Sequence, residues 1–477
     1  MRKTLLLLLL NVATAFAEEV KKPNILFILT EDQGAHLSFL GTPGLKTPNM
    51  DALARNGVYF TNAFVTYPVC SASKAALYTS LPNHMNGLVN NTLNYHQSAE
   101  DLKPTQKNAP LYIRNRIHPE FPTLVERLRD AGYYQGVTHK LHVAPNEKFP
   151  YDEFIKGESK NAVSGFLKRA AGTQKPWFLF YNVGASHRPF PNSDKVKIRV
   201  NPAEVELPAF LPDTPLVRQD WAEYLAAVER ADHLIGGVMA ALKEAGQDKN
   251  TIIVCLGGDH GPAFPHGKLT LYDLGLRVTL SISGPEVLGG VKSAALVSGL
   301  DLAPTLLDMI GEAPFQKSLG ISLKPILAGD ESAKGHEFIV AEISNRGELA
   351  INGMEERAIF DGRWKLILRS LSTPLWRQVQ ADTKDMKPWG NRSYGEIVKG
   401  REQFPDAYRI LSEMYPQELG GKTPEVELYD LKNDPDEMKN LASDSKLKQE
   451  LLRLTATLRQ WSAETGDSSM KWDHAPE

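Results

Sequence analysis

Three short, unbroken apolar runs punctuate the first half of the chain, and each stops abruptly at polar residues. Asn24 to Leu29 runs into Thr30-Glu31-Asp32-Gln33-Gly34, Trp177 to Val183 into Ser186-His187, and Thr251 to Leu256 into Asp259-His260-Gly261. A run of this length without polar alternation predicts a strand buried on both faces, as in a parallel sheet. Helical patterns lie between the runs, over Phe121 to Ala131 and over the long stretch Asp220 to Ala245. Strands alternating with helices predict an α/β fold, a large and mostly parallel β-sheet sandwiched by helices. In such sheets ligands bind beyond the carboxyl ends of the strands, which is where these acids and histidines stand.

The texture changes from about Glu355. Arg357 to Phe360 and Arg363 to Leu368 read as two short strands around the turn residues Asp361-Gly362, Glu427 to Leu431 as another strand, and Ser445 to Thr465 as an amphipathic helix. We expect a larger N-terminal unit over residues 18–350 and a smaller C-terminal α+β unit with an antiparallel sheet over 351–477. The chain starts with Met1-Arg2-Lys3, a leucine run from Leu5 to Leu10, and Ala15-Phe16-Ala17. That layout predicts a signal peptide over residues 1–17, too short in its apolar part to span a membrane.

Composition narrows the partners. Among 477 residues, 54 Lys and Arg face 57 Asp and Glu, a formal net charge of −3, so no basic excess draws the chain to nucleic acid or to a membrane surface. Removing a leader that holds Arg2 and Lys3 takes the charge to −5. The two cysteines, Cys70 and Cys255, cannot form a disulfide framework or a zinc finger, and an exported chain so poor in cysteine fits a bacterial periplasm. Cys255 lies inside an apolar strand and reads as core.

Three polar clusters carry candidate chemistry: Glu31-Asp32, Asp259-His260 and Cys70-Ser71-Ala72-Ser73-Lys74. Adjacent carboxylates repel one another unless a cation or hydrogen bonds neutralise them. Oxygen-rich groups suit Ca²⁺ or Mg²⁺, whereas a thiolate prefers softer metals. Cys70 is therefore no ligand, or the ion is Zn²⁺, or the thiol is chemically converted; the residues alone leave these three open.

The stretch from Pro23 to Leu88 resembles the N-terminal signature of the sulfatase family. It holds the acidic pair, Thr47-Pro48-Asn49-Met50-Asp51-Ala52-Leu53-Ala54, and Val69-Cys70-Ser71-Ala72-Ser73-Lys74. Similar signatures follow in the family's order at His139-Lys140-Leu141-His142, Ala185-Ser186-His187-Arg188-Pro189, Gly258-Asp259-His260-Gly261 with Lys268, and Glu427-Leu428-Tyr429-Asp430-Leu431. Leu81-Pro82-Asn83-His84-Met85-Asn86-Gly87 and Phe264-Pro265-His266-Gly267-Lys268 make the heparan N-sulfatase (sulfamidase) type look the nearest.

The resemblance implies an alkaline-phosphatase-like fold and gives each position a role. Cys70 would be oxidised to formylglycine (3-oxoalanine), whose hydrate supplies an oxygen nucleophile and suits a hard cation. Glu31, Asp32, Asp259 and His260, with the modified Cys70, would bind one divalent metal, expected to be Ca²⁺ with Mn²⁺ or Zn²⁺ as substitutes. Lys74, Lys140 and Lys268 would neutralise the sulfate. His187 would protonate the leaving group, and His142 would take a proton from the sulfated hydrate. The implied partners are a sulfated saccharide, derived from a glycosaminoglycan such as heparan sulfate, and a formylglycine-generating maturase of the anaerobic radical type. His84 and His266 are expected to be structural or to support the site residues from behind, and Arg114, Arg116 and His118 to form a solvated face or to meet an anionic sugar.

The pattern departs from the family at four places. Ala72 and Lys74 stand where Pro and Arg are usual in the modification motif, and lysine lacks arginine's planar fork. Glu31 stands where Asp is common, and His260 where the sulfamidase type has Asn. Two rivals follow: a phosphodiesterase or phosphonate monoester hydrolase on the same fold, and a catalytically degenerate protein that binds sulfated glycans.

Overall fold

The computed structural model describes residues 22–190, 200–344, 354–371, 392–414, 419–470 and 472. The leader expected over 1–17 and the boundary expected at 350/351 lie outside them. An eight-stranded sheet is built from β1 (Asn24–Thr30), β2 (Val58–Phe64), β3 (Tyr134–Thr138), β4 (Glu153–Ile155), β5 (Trp177–Val183), β6 (Thr251–Gly257), β7 (Arg277–Ser283) and β8 (Val291–Ser298). Their spatial order is β4-β3-β5-β1-β6-β7-β2-β8. β7 runs antiparallel to both its neighbours, β6 and β2, and every other pairing is parallel.

Burial on both faces explains why the central strands read as continuous apolar runs. From β1, β5 and β6, one face carries Ile25, Phe27, Leu29, Phe178, Phe180, Ile252, Val254 and Leu256. These pack against Ala72, Ala75, Leu77 and Tyr78 of α1 (Cys70–Thr79) and Leu124, Val125 and Leu128 of α2 (Leu124–Asp130). The alternate residues Leu26, Ile28, Leu179, Tyr181, Ile253 and Cys255 face the other side. There they meet Phe166 and Leu167 of α3 (Lys160–Thr173) and Trp221, Leu225 and Val228 of α4 (Pro215–Glu244). Cys255 is core, as its strand pattern predicts. Each fully buried side chain of this size contributes about 1.5–3 kcal/mol.

Two helix boundaries differ from expectation for local reasons. The Phe121 to Ala131 pattern becomes helical only at Leu124, because Thr123 caps it and Glu126 reaches back to the Thr123 amide at 2.8 Å. The long helix starts before Asp220, at Pro215, with Thr214 accepting from the Val217 amide.

A second sheet, in the order β12-β11-β10-β9, is antiparallel throughout and comprises β9 (Ile339–Ser344), β10 (Met354–Phe360), β11 (Trp364–Leu371) and β12 (Val426–Asp430). Gly362, at φ 97°, makes the expected turn between β10 and β11. One face packs Leu366, Leu368 and Leu428 under Leu451, Leu454 and Leu458 of α5 (Lys448–Thr465), and the other joins the main core through Ala341, Ala358 and Ile367. No described helix is long and apolar enough to cross a membrane.

Buried ions tie this sheet down. Arg357 is fully buried, with Nε 2.7 Å from Asp467 Oδ2 and 3.5 Å from Glu342 Oε2. His84 donates to the same Glu342 at 2.7 Å. An Arg357→Ala substitution removes the buried cation that Asp467 and Glu342 share and should cost about 3–5 kcal/mol, read as a fall in denaturation midpoint.

Candidate active site

β5, β1 and β6 lie side by side, and the residues that follow their carboxyl ends converge. Asn182 sits in β5, Glu31 and Asp32 follow β1, and Asp259 and His260 follow β6. α1 aims its first residue, Cys70, at the same point. Val69 gives α1 no side-chain cap, so the positive end of the helix faces the thiol. Cys70 Sγ lies 3.2 Å from His260 Nε2, 3.5 Å from Lys268 Nζ and 4.0 Å from Asp32 Oδ1. Burial works against a thiolate here, but Lys268, Lys140 and His260 outweigh it and hold the thiol well below its ordinary pKa.

The carboxylates are paired in a set order. One oxygen of Glu31 binds the buried Lys74 and the amide of Asn182, the latter at 3.0 Å, and the other binds Lys140. Burial pushes the Glu31 carboxyl up, yet Lys140 and Lys74 override it and hold the group well below the glutamate range. Asp32 binds Lys268 at 2.9 Å, and its amide donates to Asp259 Oδ1 at 3.1 Å. Asp259 Oδ2 is buried without a hydrogen bond, and burial followed by the Cys70 charge pushes this carboxyl up to about 6.

The three histidines divide by environment. Burial disfavours the charged form of His260, but Asp259 and Asp32 raise it to about 9. Its Nδ1 bonds the Gly261 carbonyl at 2.9 Å, which turns Nε2 toward Cys70 and Asp32. Burial lowers His142, whose Nε2 bonds the Thr92 carbonyl at 2.8 Å; its Nδ1 makes no bond away from the thiol beside it. Asp32 raises His187, whose Nε2 is 3.4 Å from Lys268 Nζ. Burial thus biases His142 toward its neutral form, and Asp32 biases His187 toward its protonated form.

All ten expected residues therefore meet in one place. Asp32, Cys70, Asp259 and His260 each bring one ligand atom within 4.8 Å of the others, and so do Glu31, Asp32, Cys70 and His187. Three carboxylates face three lysines; Asp259 Oδ2 makes no hydrogen bond and has the Lys74 ammonium 3.7 Å away. The set fits a divalent, oxygen-seeking cation, with Glu31 shared between it and the lysines. His84 and His266 lie apart from this cluster, the latter stacked on Tyr272 with ring centroids 3.9 Å apart. Arg116 and His118 are exposed, as expected, and so is Arg114.

Other contributors were hidden in the sequence. Asn182 sits inside an apolar strand, where one polar residue among seven was the only signal. Arg188 forks onto buried Asp220 at 3.0 and 2.9 Å and donates to the Ala263 carbonyl, tying the His187 and Lys268 loops to α4. Backbone strain also gathers here. Of nine non-glycine residues with left-handed φ among the described residues, Asp32, His139, His142, His266 and Leu269 belong to the site loops.

The family model described as Sulfatase matches residues 23–312, more than half of the chain. The chain belongs to the sulfatase family. As such it is a hydrolase of sulfuric esters. It is 27% identical over 490 residues to an ulvan-active sulfatase of Formosa agariphila, covering 94% of this chain and 76% of that one. It is also 27% identical over 495 residues to the N-sulphoglucosamine sulphohydrolase of Homo sapiens, covering 95% and 92%. The solved phosphonate monoester hydrolase of Agrobacterium radiobacter shares the fold with a TM-score of 0.67 at 18% identity, over 93% and 96% of the two chains.

If the cluster holds a cation, calcium should raise the melting temperature of this sulfatase, since a ligand at a hundred times its Kd adds about 2.7 kcal/mol of stability. Asp259→Asn should abolish the calcium-dependent rise, measured by scanning calorimetry against a chelator-treated control.

Proposed function

We propose that the protein hydrolyses a sulfate ester or sulfamate on a glycosaminoglycan-type saccharide, with Cys70 converted to formylglycine. The observation that carries this reading is a single cysteine at a buried helix end, ringed by lysines and by histidines of opposite proton affinity. Such a pocket offers charge-assisted donors to a tetrahedral anion and a matched acid and base. When formed, the formylglycine hydrate supplies an oxygen nucleophile at the end of α1. A divalent cation, expected to be calcium and held by Asp32, Asp259 and His260 with Glu31 beside them, supplies Lewis-acid stabilisation of the sulfuryl oxygens.

The chain's own residues do the rest. Glu31 fixes Lys74 and Lys140 in place, and its charge outweighs the burial that works against the Lys140 ammonium. Lys268, within reach of Cys70, Asp32 and His187, holds the transferring group and keeps the His187 ring in place. His187 gives its proton to the departing sugar oxygen or nitrogen. His142, its tautomer set by the Thr92 carbonyl, would accept the proton of the remaining hydroxyl at position 70 as the C–O bond to sulfate breaks, sulfate leaves and the aldehyde re-forms. The shorter side chain at Lys74 meets the longer one at Glu31, which accommodates the departures at both positions.

The substrate class rests on the sulfamidase-like motifs and on likeness to a glucosamine N-sulfatase and an ulvan sulfatase. The leader expected over residues 1–17 supports export, and we place the enzyme in a bacterial periplasm. The phosphonate hydrolase likeness keeps a phosphoester reading in view. Matured protein should release sulfate from N-sulfoglucosamine or an O-sulfated disaccharide, and cleave an aryl sulfate at least about a hundredfold faster than the matching aryl phosphate, a gap of roughly 2.7 kcal/mol in barrier. The opposite ratio would establish the phosphoester hydrolase instead, and saccharide binding without release by matured protein would establish a binding protein.

A further inference from the structure

His139 follows β3 and holds φ at 61°, the left-handed region that costs an ordinary L-residue about 1–2 kcal/mol and glycine nothing. The backbone there is fixed, since the His139 amide donates to the Ile155 carbonyl at 3.1 Å. Its side chain is 40% exposed, although Lys140 beside it is largely buried in the site. The ring lies on Gly184: a Cβ built there would come 2.5 Å from His139 Nε2, so the glycine makes room for the imidazole. Glu158 completes the seat, accepting from the Gly184 amide at 3.0 Å and standing 4.0 Å from His139 Nδ1. Gly184 in turn begins the tight turn that carries His187, whose amide bonds the Gly184 carbonyl at 3.2 Å.

We infer that His139 is a specificity-determining residue, its imidazole placed at the mouth of the sulfate pocket to hydrogen-bond a hydroxyl of the sugar that bears the sulfate. A costly residue where glycine would be easier, next in sequence to Lys140 and seated on the glycine that starts the His187 turn, is accounted for when the side chain meets substrate. A prop for the His187 turn would not need an exposed ring. The inference rests on the saccharide sulfatase reading and adds which residue recognises the sugar.

The test separates sugar from sulfate without requiring turnover. Binding of a sulfated heparin disaccharide and of inorganic sulfate is measured by calorimetry with the unmatured thiol protein, for the native chain, His139→Gly and His139→Asn. His139→Gly relieves the left-handed strain, so its melting temperature should match or exceed the native value, and folding is not in question. Its disaccharide Kd should rise about tenfold relative to its Kd for sulfate, the size of one lost hydrogen bond. His139→Asn, which tolerates the same φ and keeps polar atoms, should recover part of the loss. Equal changes for both ligands, an unchanged disaccharide Kd, or no disaccharide binding by the native chain would overturn the inference. Absence of sulfate release by matured native protein that still binds the disaccharide would overturn the sulfatase chemistry and leave the role of His139 standing.

Discussion

Glu31, Asp32 and Asp259 stand almost without solvent at the ends of two adjacent parallel strands, and a buried charge must be paired or it drives the group to neutrality. Much of the architecture around the site answers that requirement. Lys74 arrives on α1, Lys140 on the turn after β3, and Lys268 on the loop beyond β6, so three separate segments must converge before the strand ends are electrically balanced. Asp259 is the least well bonded of the three carboxylates: its Oδ2 makes no hydrogen bond, has Lys74 Nζ at 3.7 Å, and sits beside His260, which, against burial, Asp259 and Asp32 raise to about 9. The same pairing that makes the carboxylates tolerable concentrates ammonium groups around Cys70, and so turns a structural necessity into an anion pocket.

The central strands were legible because burial on both faces removes the polar alternation that would mark one face as wet. Their polar ends were legible for the complementary reason: an apolar strand that stops on adjacent acids signals a change from core to site. Asn182 was not, because its polarity is spent on Glu31 inside a run that reads as wholly apolar. The Arg188–Asp220 fork was not, because its partners lie on different elements and each alone resembles an ordinary surface charge. β9 carries no mark of its own, and pairing with β10 is what assigns it to the smaller sheet. Helix starts shifted by three to five residues where Thr123 and Thr214 supply caps that periodicity alone does not weigh.

Strain supplies a signal that neither pattern nor motif contains. Left-handed backbone at Asp32, His139 and His142 places side chains where a relaxed chain would turn them away, and the surrounding sheet and ion pairs hold those conformations. The catalytic proposal and the specificity proposal thus share one physical basis: a rigid, charge-compensated floor on which loops are kept in costly shapes.

The central claim is that Cys70 is the precursor of the nucleophile rather than a buried thiol. Peptide mass spectrometry of protein from its native source, or from a host with a competent maturase, tests it directly. Conversion to formylglycine lowers the mass of the Cys70 peptide by about 18 Da, a covalent change independent of folding. The account predicts that loss, confined to Cys70 and absent from Cys255. An unmodified thiol at Cys70 in maturase-competent cells would contradict it.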